Sequence, residues 1–289
     1  MRVGMIGLGA MGAHMARNLH KAGLLGGMWN RTSAKAAALA AELDVRAAES
    51  VAQLGAGSDA VVICVSADED VREVVGKLAP AMRSGGLVID CSTVSADTAR
   101  EAAKLLATRA IDFLDCPVSG GVEGARLATL AIMAGGEAAA FERAQPILQA
   151  LGKTIALMGP NGAGQATKAT NQILCAGAIQ AAAEAMAFAE AEGLPLARVI
   201  EILGKGAGSS WYFVNRAPFM ANGAFPAGFR VRLHAKDLRI CRDMARRHAG
   251  KLPMVEATLD DYRELVDDGH GEEDISVLFR LKEKHFGGK

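Results

Sequence analysis

A polar stripe interrupts an alanine-rich segment in the second half of the chain. Lys168, Asn171, Gln172 and Cys175 are spaced i, i+3, i+4 and i+7, so in a helix they share one face. A lysine held away from water has a lowered pKa and exchanges its proton readily, which suits it to give or take the proton of a carbinol oxygen. The alternative that the spacing leaves open is a solvated lysine in the first turn of a helix.

A glycine pattern at the N-terminus is suited to a pyrophosphate. Gly7, Gly9 and Gly12 form a Gly-x-Gly-x-x-Gly sequence between a strand-like run at 3–6 and a helical run at 13–22. These glycines allow a tight turn, a close approach of the backbone to phosphate and close packing of the helix on the strand, while the helix N-terminus points its N–H groups at the phosphates. The pattern predicts a dinucleotide site made by Gly7, Leu8, Gly9, Ala10, Met11 and Gly12.

The end of the next strand-like run distinguishes between the two nicotinamide cofactors. NAD sites of this kind place a carboxylate about 20 residues after the glycines, where it holds the ribose hydroxyls. Here the run ends in Asn30, Arg31 and Thr32, and the next acidic residue along the chain is Glu42. A guanidinium offers charged hydrogen bonds to a 2′-phosphate, so these residues predict NADP(H). The alternative is that Arg31 is a solvated turn residue.

The rhythm of the sequence indicates which elements position these groups. Short apolar runs alternate with helical segments at 3–6, 25–29, 60–65, 87–90, 111–115, 130–134 and 154–158. After residue 164 the apolar residues recur with the period of a helix, at 165–192, 196–203, 232–248, 254–266 and 274–285. This order predicts an α/β fold with a mostly parallel sheet. We expect a Rossmann-type dinucleotide-binding domain over residues 1–162, a long inter-domain helix and an all-α substrate and dimerisation domain over residues 163–289.

Composition excludes several classes of partner. The 289 residues carry 32 Lys plus Arg and 32 Asp plus Glu, so no basic surplus is available for nucleic acid. The five cysteines and six histidines form no ligand cluster, which predicts free thiols and no metal. The longest uncharged apolar stretch, 169–183, is too short for a membrane span, and the N-terminus starts a strand rather than an export signal. We expect a cytoplasmic protein with no nucleic-acid or membrane partner.

Four segments of the chain resemble the signature segments of the β-hydroxyacid dehydrogenases, in the family's order. They are residues 7–12, Asp115-Cys116-Pro117-Val118-Ser119-Gly120-Gly121, Gly164-x-x-x-Lys168-x-x-Asn171, and Lys236-Asp237-Leu238. The likeness spans essentially the whole chain. The family includes 3-hydroxyisobutyrate dehydrogenase, tartronate semialdehyde reductase and the glyoxylate/succinic semialdehyde reductases.

The resemblance implies a role for each matching residue. Lys168 is the general acid/base, and Asn171 holds the substrate or the lysine. Ser119, with the backbone of Gly120 and Gly121, binds the substrate carboxylate, for which a hydroxyl and N–H groups are suited. The other residues implied are Thr93, beside nicotinamide and substrate, and Phe229, Lys236 and Asp237, which close over both. We also assign Val65, Ser66, Thr93 and Lys236 to the cofactor site. For Lys236 and Asp237, a surface ion pair is the alternative.

These residues predict an NADP(H)-dependent oxidoreductase that interconverts a small anionic 3-hydroxy acid and its semialdehyde, as a homodimer or homotetramer. An imine reductase of the same architecture and a non-catalytic nucleotide-binding protein are the alternatives. A 6-phosphogluconate dehydrogenase is disfavoured, because the chain is too short and Asn171 replaces that group's histidine. Two residues depart from the family pattern: Gln172 replaces an asparagine, and Ala128 replaces a glycine before Thr129.

Overall fold

A computed structural model describes residues 1–287, and the chain divides into two compact units, Met1–Lys168 and Ala169–Lys289. The predicted boundary after residue 162 therefore differs from the observed one. The division falls inside a helix, α8 (Ala163–Ala191), whose first turns belong to the first unit. The reason is a set of hydrogen bonds that fixes the start of this helix to the sheet of that unit.

The first unit is built on one eight-stranded sheet. Its strands are β1 (Val3–Ile6), β2 (Leu25–Trp29), β3 (Ala60–Ile63), β4 (Leu87–Asp90), β5 (Asp112–Asp115), β6 (Val118–Ser119), β7 (Leu130–Gly135) and β8 (Gly152–Gly159). They lie in the order β2-β1-β3-β4-β5-β7-β6, with β8 paired to β7. Strands β1 to β5 are parallel, whereas β7 runs antiparallel to β5 and to β6. This topology confirms the predicted Rossmann-type fold.

Helices cover both faces of the sheet. They are α1 (Gly12–Lys21), α2 (Ser33–Leu43), α3 (Val51–Ala56), α4 (Asp68–Leu78), α5 (Ala96–Ala107), α6 (Gly121–Leu127) and α7 (Ala138–Leu151). Alternate residues of β3 enter different cores: Ala60 and Val62 join one cluster, and Val61 and Ile63 join the other. Because such strands are buried on both sides, they are continuous apolar runs in the sequence.

The second unit is helical throughout its described part. After α8 come α9 (Leu196–Leu203), α10 (Trp211–Ala221), α11 (Val231–Arg246), α12 (Pro253–Asp267), a 3₁₀ helix η1 (Ile275–Leu278) and α13 (Phe279–His285). The all-α prediction is confirmed, but α10 was not predicted. Its start is nevertheless marked in the sequence, because Ser210 caps it by accepting a 3.0 Å hydrogen bond from the Phe213 N–H.

Helix α8 is long and apolar enough to cross a membrane by length and composition alone. Of its most apolar 18-residue window, 56% is buried within the structure. The core helix of a soluble protein passes the same test, so this one helix is weak evidence for a membrane span.

Four residues that are not glycine adopt the left-handed conformation after helices: two cap α2 and α6, and two lie in the turns that follow α5 and α11. Asp44, Ala110, Ala128 and Ala249 have φ values of 51°, 52°, 55° and 52°. In each case the N–H of the following residue donates to a carbonyl five residues earlier, as Thr129 does to Gly124 at 2.9 Å. Ala128, which replaces the family's glycine before Thr129, therefore adopts a backbone conformation that favours glycine.

Candidate active site

In the turn from β1 into α1, two of the three glycines pack closely against backbone atoms and the third faces open space. Gly7 has φ +89°, and a Cβ on it would lie 2.1 Å from the Cys64 carbonyl oxygen. A Cβ on Gly12 would lie 1.9 Å from the Gly7 carbonyl oxygen, whereas a Cβ on Gly9 would meet no described atom within 4 Å. None of the described side chains caps the start of α1. The turn therefore fits a pyrophosphate, which takes the exposed N–H groups of a helix N-terminus.

Asn30 ties the ends of β1 and β2 together. Its Oδ1 accepts a 2.9 Å hydrogen bond from the Leu8 N–H, and its Nδ2 donates to the Thr32 carbonyl oxygen at 3.0 Å. Because both polar ends of the side chain are bonded to backbone, Asn30 holds the glycine turn and the Thr32 segment in place. Both contacts are with the protein backbone, and neither gives the Asn30 side chain a direct bond to a cofactor.

Arg31 lies at the same edge, and the fold brings a carboxylate to it. The Arg31 side chain is 76% exposed, and its Nη1 donates to the Asp70 Oδ1 at 2.7 Å. Asp70 lies in the first turn of α4, which follows β3. The next acidic residue after Arg31 in the sequence is Glu42, but the carboxylate that contacts Arg31 in the fold is that of Asp70. The acidic first turn of α4 is the signal in the sequence, but 39 residues separate the two side chains.

The ends of β3 and β4 are joined by a serine. The Val65 N–H donates to the Ser92 Oγ at 2.9 Å, and Ser66 and Thr93 follow those two residues. In parallel sheets of this kind, ligands bind at the carboxyl ends of the strands. Val65, Ser66 and Thr93, assigned to the cofactor from the sequence, all lie at this edge.

The start of α8 is fixed to the ends of β4 and β5. The Asp115 carboxylate accepts hydrogen bonds from the N–H groups of Gly162 and Gln165, at 2.8 and 3.0 Å. The Gln165 amide donates to the Ser92 carbonyl oxygen at 2.9 Å and accepts from the Val94 N–H at 3.2 Å. Sequence reasoning missed the roles of Asp115 and Gln165, which depend on contacts between residues far apart in the chain.

Lys168 follows one turn after Gln165 on the same helix, and it is only 8% exposed. The alternative of a solvated first-turn lysine is therefore wrong. The first turn of the helix that carries this largely buried lysine is fixed by Asp115 and Gln165. Such an amine is suited to proton transfer.

The proposed carboxylate-binding turn joins β6 to α6. Ser119 pairs with Ala131 in the sheet, and α6 begins at Gly121. Gly120 and Gly121 have φ values of +130° and +61°, which other residues rarely adopt. The two consecutive glycines are therefore required by the backbone of this turn.

Two buried carboxyls lie side by side at the ends of β4 and β5, since Asp90 is the register partner of Asp115. Burial and the neighbouring Asp115 raise the pKa of Asp90 to about 7, although hydrogen bonds from Ser92 oppose the rise. Burial also raises the pKa of Asp115 to about 6, and the N–H groups of Gly162 and Gln165 limit that rise. The Asp90 Oδ2 has no hydrogen-bond partner within the described part of the chain.

Asp90→Asn is expected to make the stability of the protein less sensitive to a rise in pH between about 4 and about 7. The folded-state pKa of Asp90 lies above the ordinary 3.8, so the folded state keeps a proton that the unfolded chain loses. Stability is therefore lost as pH rises from about 4 to about 7, by on the order of 2 to 4 kcal/mol, whereas asparagine does not titrate. Calorimetric Tm values at pH 5 and pH 8 test this. An equal Tm difference between variant and wild type at both pH values would contradict it.

A second group of polar side chains belongs to the helical unit. The Gln172 Nε2 donates to the Asp237 Oδ2 at 2.6 Å, and the Asn171 Nδ2 donates to the Gln172 Oε1 at 2.8 Å. The Lys236 Nζ lies 2.9 Å from the Asp237 Oδ1. Asp237 is buried, so this is more than a surface ion pair. Gln172, the departure from the family's asparagine, links Asn171 to Asp237.

His234 supports this group from the side. One ring nitrogen lies 3.3 Å from the Gln172 carbonyl oxygen and the other lies 3.0 Å from the Tyr262 hydroxyl. The Phe229 ring packs against the His234 ring with centroids 4.9 Å apart. The four residues predicted for the site from this unit thus lie on α8, on α11 or just before α11: Asn171, Phe229, Lys236 and Asp237.

Metal ligands are not clustered in the described residues 1–287. No three His, Cys, Asp or Glu side chains in that range are placed to hold a metal ion, and the five cysteines are free. The groups available for chemistry are therefore the buried lysine, amides, carboxyls and hydroxyls described above.

Two family models match the chain in succession. Residues 2–159 match the NAD binding domain of 6-phosphogluconate dehydrogenase, and residues 162–282 match the NAD-binding region of NADP-dependent 3-hydroxyisobutyrate dehydrogenase. The chain belongs to the β-hydroxyacid dehydrogenase family. It is thus an oxidoreductase of small hydroxy acids with an NAD(P)-binding domain, and the family resemblance of the sequence is confirmed.

Individual members of the β-hydroxyacid dehydrogenase family match over nearly the full length. NAD-dependent L-serine dehydrogenase of Pseudomonas aeruginosa is 36% identical over 97% of each chain. 2-Hydroxy-3-oxopropionate reductase of Escherichia coli is 35% identical, covering 98% of this chain and 97% of that protein. The structure of a Mycobacterium tuberculosis 3-hydroxyisobutyrate dehydrogenase with L-serine has a TM-score of 0.89 and 33% identity, covering 97% and 99%.

Proposed function

We propose that this protein is an NADP(H)-dependent dehydrogenase that interconverts a small 3-hydroxy acid and its semialdehyde, with Lys168 as general acid/base. The observation that carries the proposal is the burial of Lys168 one turn after the hydrogen bonds of Asp115 and Gln165. A lysine shielded from water can protonate the carbonyl oxygen during reduction and take the hydroxyl proton during oxidation.

The residues that would hold the dinucleotide lie along the carboxyl edge of the sheet. The glycine turn would take the pyrophosphate, and Arg31 with Thr32 would take the 2′-phosphate. The other cofactor residues are Asn30, Val65, Ser66, Thr93 and Lys236. When bound, the nicotinamide accepts a hydride from the carbinol carbon or returns it to the carbonyl carbon.

The residues that we assign to the substrate are suited to bind an anion without a metal ion. Ser119, Gly120 and Gly121 would bind the carboxylate, and Asn171 would orient the reacting oxygen. Thr93, Phe229 and Asp237 are the other residues that we assign to the substrate. The names of the relatives support a short substrate, because L-serine and 2-hydroxy-3-oxopropionate each have three carbons and a carboxylate.

A substrate panel tests this assignment. We expect NADPH oxidation with semialdehyde acids of about three to five carbons, and little with neutral aldehydes of the same length, since these leave the carboxylate-binding groups unpaired. Matched pairs that differ only in the carboxylate are the control. Activity with neutral aldehydes or cyclic imines, and none with any semialdehyde acid, would favour an imine reductase. Inactivity toward all three classes, with NADPH still bound, would favour a non-catalytic nucleotide-binding protein.

We also propose a cytoplasmic homodimer or homotetramer without nucleic-acid or membrane partners. Exposed apolar side chains of the helical unit support self-association, since large exposed apolar surface marks interfaces. The most exposed of them are Leu174, Phe188, Ile202 and Trp211.

A further inference from the structure

Arg31 and Asp70 differ in how firmly the fold holds them. The Arg31 side chain is 76% exposed and reaches out from the end of β2, whereas Asp70 is 21% exposed and lies in the first turn of α4. The 2.7 Å contact therefore joins a movable cation to a carboxylate with a fixed place. An anion that binds Arg31 in this position shares the guanidinium with Asp70.

Two other carboxylates of α4, those of Asp68 and Glu73, are engaged elsewhere. The Asp68 Oδ1 accepts hydrogen bonds from the Ser95 N–H and the Thr98 hydroxyl. The Glu73 carboxylate bonds to Lys77; this hydrogen bond is the main cause of the lowered pKa of Glu73, and the charge of Arg31 contributes less. Asp70 is thus the carboxylate of this helix that contacts Arg31 directly.

A carboxylate at this place has opposite effects on the two cofactors. A 2′-phosphate brings up to two negative charges beside Asp70 and competes with it for Arg31, which weakens binding of the phosphate. A ribose 2′-hydroxyl carries no charge and meets no such repulsion. NAD sites of this fold commonly have a carboxylate after the second strand, and here the acidic group comes from the helix after the third.

We propose that Asp70 is a cofactor-specificity residue that weakens binding of the 2′-phosphate of NADP(H) and so narrows the preference for NADP(H) over NAD(H). The inference rests on the proposed assignment of Arg31 to that phosphate. It concerns a second residue, Asp70 on α4, which sets how strongly Arg31 discriminates between NADP(H) and NAD(H).

The test uses the whole protein and two nucleotides that need no substrate and no turnover. Isothermal titration calorimetry of adenosine 2′,5′-bisphosphate and 5′-AMP gives a Kd for each with wild type, Asp70→Asn and Glu69→Gln. Glu69 is the matched control, because it is an exposed acidic residue in the same turn. We expect Asp70→Asn to bind the bisphosphate about three- to tenfold more tightly and 5′-AMP unchanged, with a smaller gain at high salt.

The Glu69→Gln control separates the effect of direct contact with Arg31 from the effect of removing a negative charge nearby. Glu69→Gln removes the same charge and is expected to change the bisphosphate Kd by less than about twofold. The inference is overturned if Asp70→Asn leaves that Kd within about twofold of wild type, or if it tightens both nucleotides equally. Equal gains in the two variants would also overturn it.

Arg31→Leu distinguishes this inference from the proposal on which it rests. If that variant binds the bisphosphate as wild type does, Arg31 does not contact the phosphate, and both the NADP(H) assignment and the role of Asp70 fail. If it weakens the bisphosphate alone while Asp70→Asn has no effect, the NADP(H) assignment stands and only the role of Asp70 fails.

Discussion

Replacing Lys168 with alanine is expected to lower kcat by about 10²- to 10⁴-fold while NADPH binding stays nearly unchanged. Hydride addition to a carbonyl leaves a developing alkoxide, and a positioned proton donor contributes about this factor. The proposed phosphate contacts come from residues 7–12 and Arg31, so the loss should fall on the chemical step. Steady-state kcat with the best substrate and NADPH titration by fluorescence provide the two measurements.

The pH dependence tests the same residue in a second way. Oxidation of the hydroxy acid needs the neutral amine and should rise with pH, whereas reduction of the semialdehyde needs the charged amine and should fall. Lys168→Arg keeps the charge but cannot release the proton, so it should resemble the alanine variant in the oxidation direction. Lys153→Ala, at an exposed position on β8, is the control. A folded Lys168→Ala variant that binds NADPH and keeps more than about a tenth of kcat would refute the assignment.

Arg31→Asp is expected to reverse the cofactor preference. The change removes a charged hydrogen bond to the 2′-phosphate and adds a second carboxylate beside Asp70. Together these effects should lower the ratio of kcat/KM for NADPH to that for NADH by about a hundredfold. Full kinetics with both cofactors measure this ratio.

A matched control for that change lies close by. Lys35→Asp makes the same change of charge at an exposed position of α2 and should leave the ratio within about threefold of wild type. The assignment of Arg31 is wrong if the wild-type protein works equally well or better with NADH.

The sequence predicted those parts of the fold in which one local pattern decides the structure. Strands such as β1 and β4 are buried on both faces, so they are short apolar runs that a reader can recognise. Helix α10 was missed, because Pro218 lies inside it and its aromatic start resembles a loop after the glycines at 206 and 208. Strand β6 has only two residues, too few for a period of two to be visible.

The sequence likewise predicted those parts of the site that a local pattern determines. The glycine turn follows from residues that are adjacent in sequence, and the helical spacing gave the common face of Lys168 and Asn171. The burial of Lys168 did not follow from the spacing, since it requires Asp115 and Gln165 to meet across 50 residues. Asp70 also reaches Arg31 only through the order of the strands, in which β1 lies between β2 and β3.

The left-handed alanine residues are positions at which substitution can increase the stability of the chain. Alanine in this conformation is strained by about 1 kcal/mol, and glycine, after its larger unfolded-state entropy, would recover about half of that at each position. Ala110, Ala128 and Ala249 together therefore offer on the order of 1 to 2 kcal/mol. Active-site variants that broaden substrate or cofactor range commonly cost this much, so a triple-glycine background is a tolerant starting point for directed evolution of this enzyme.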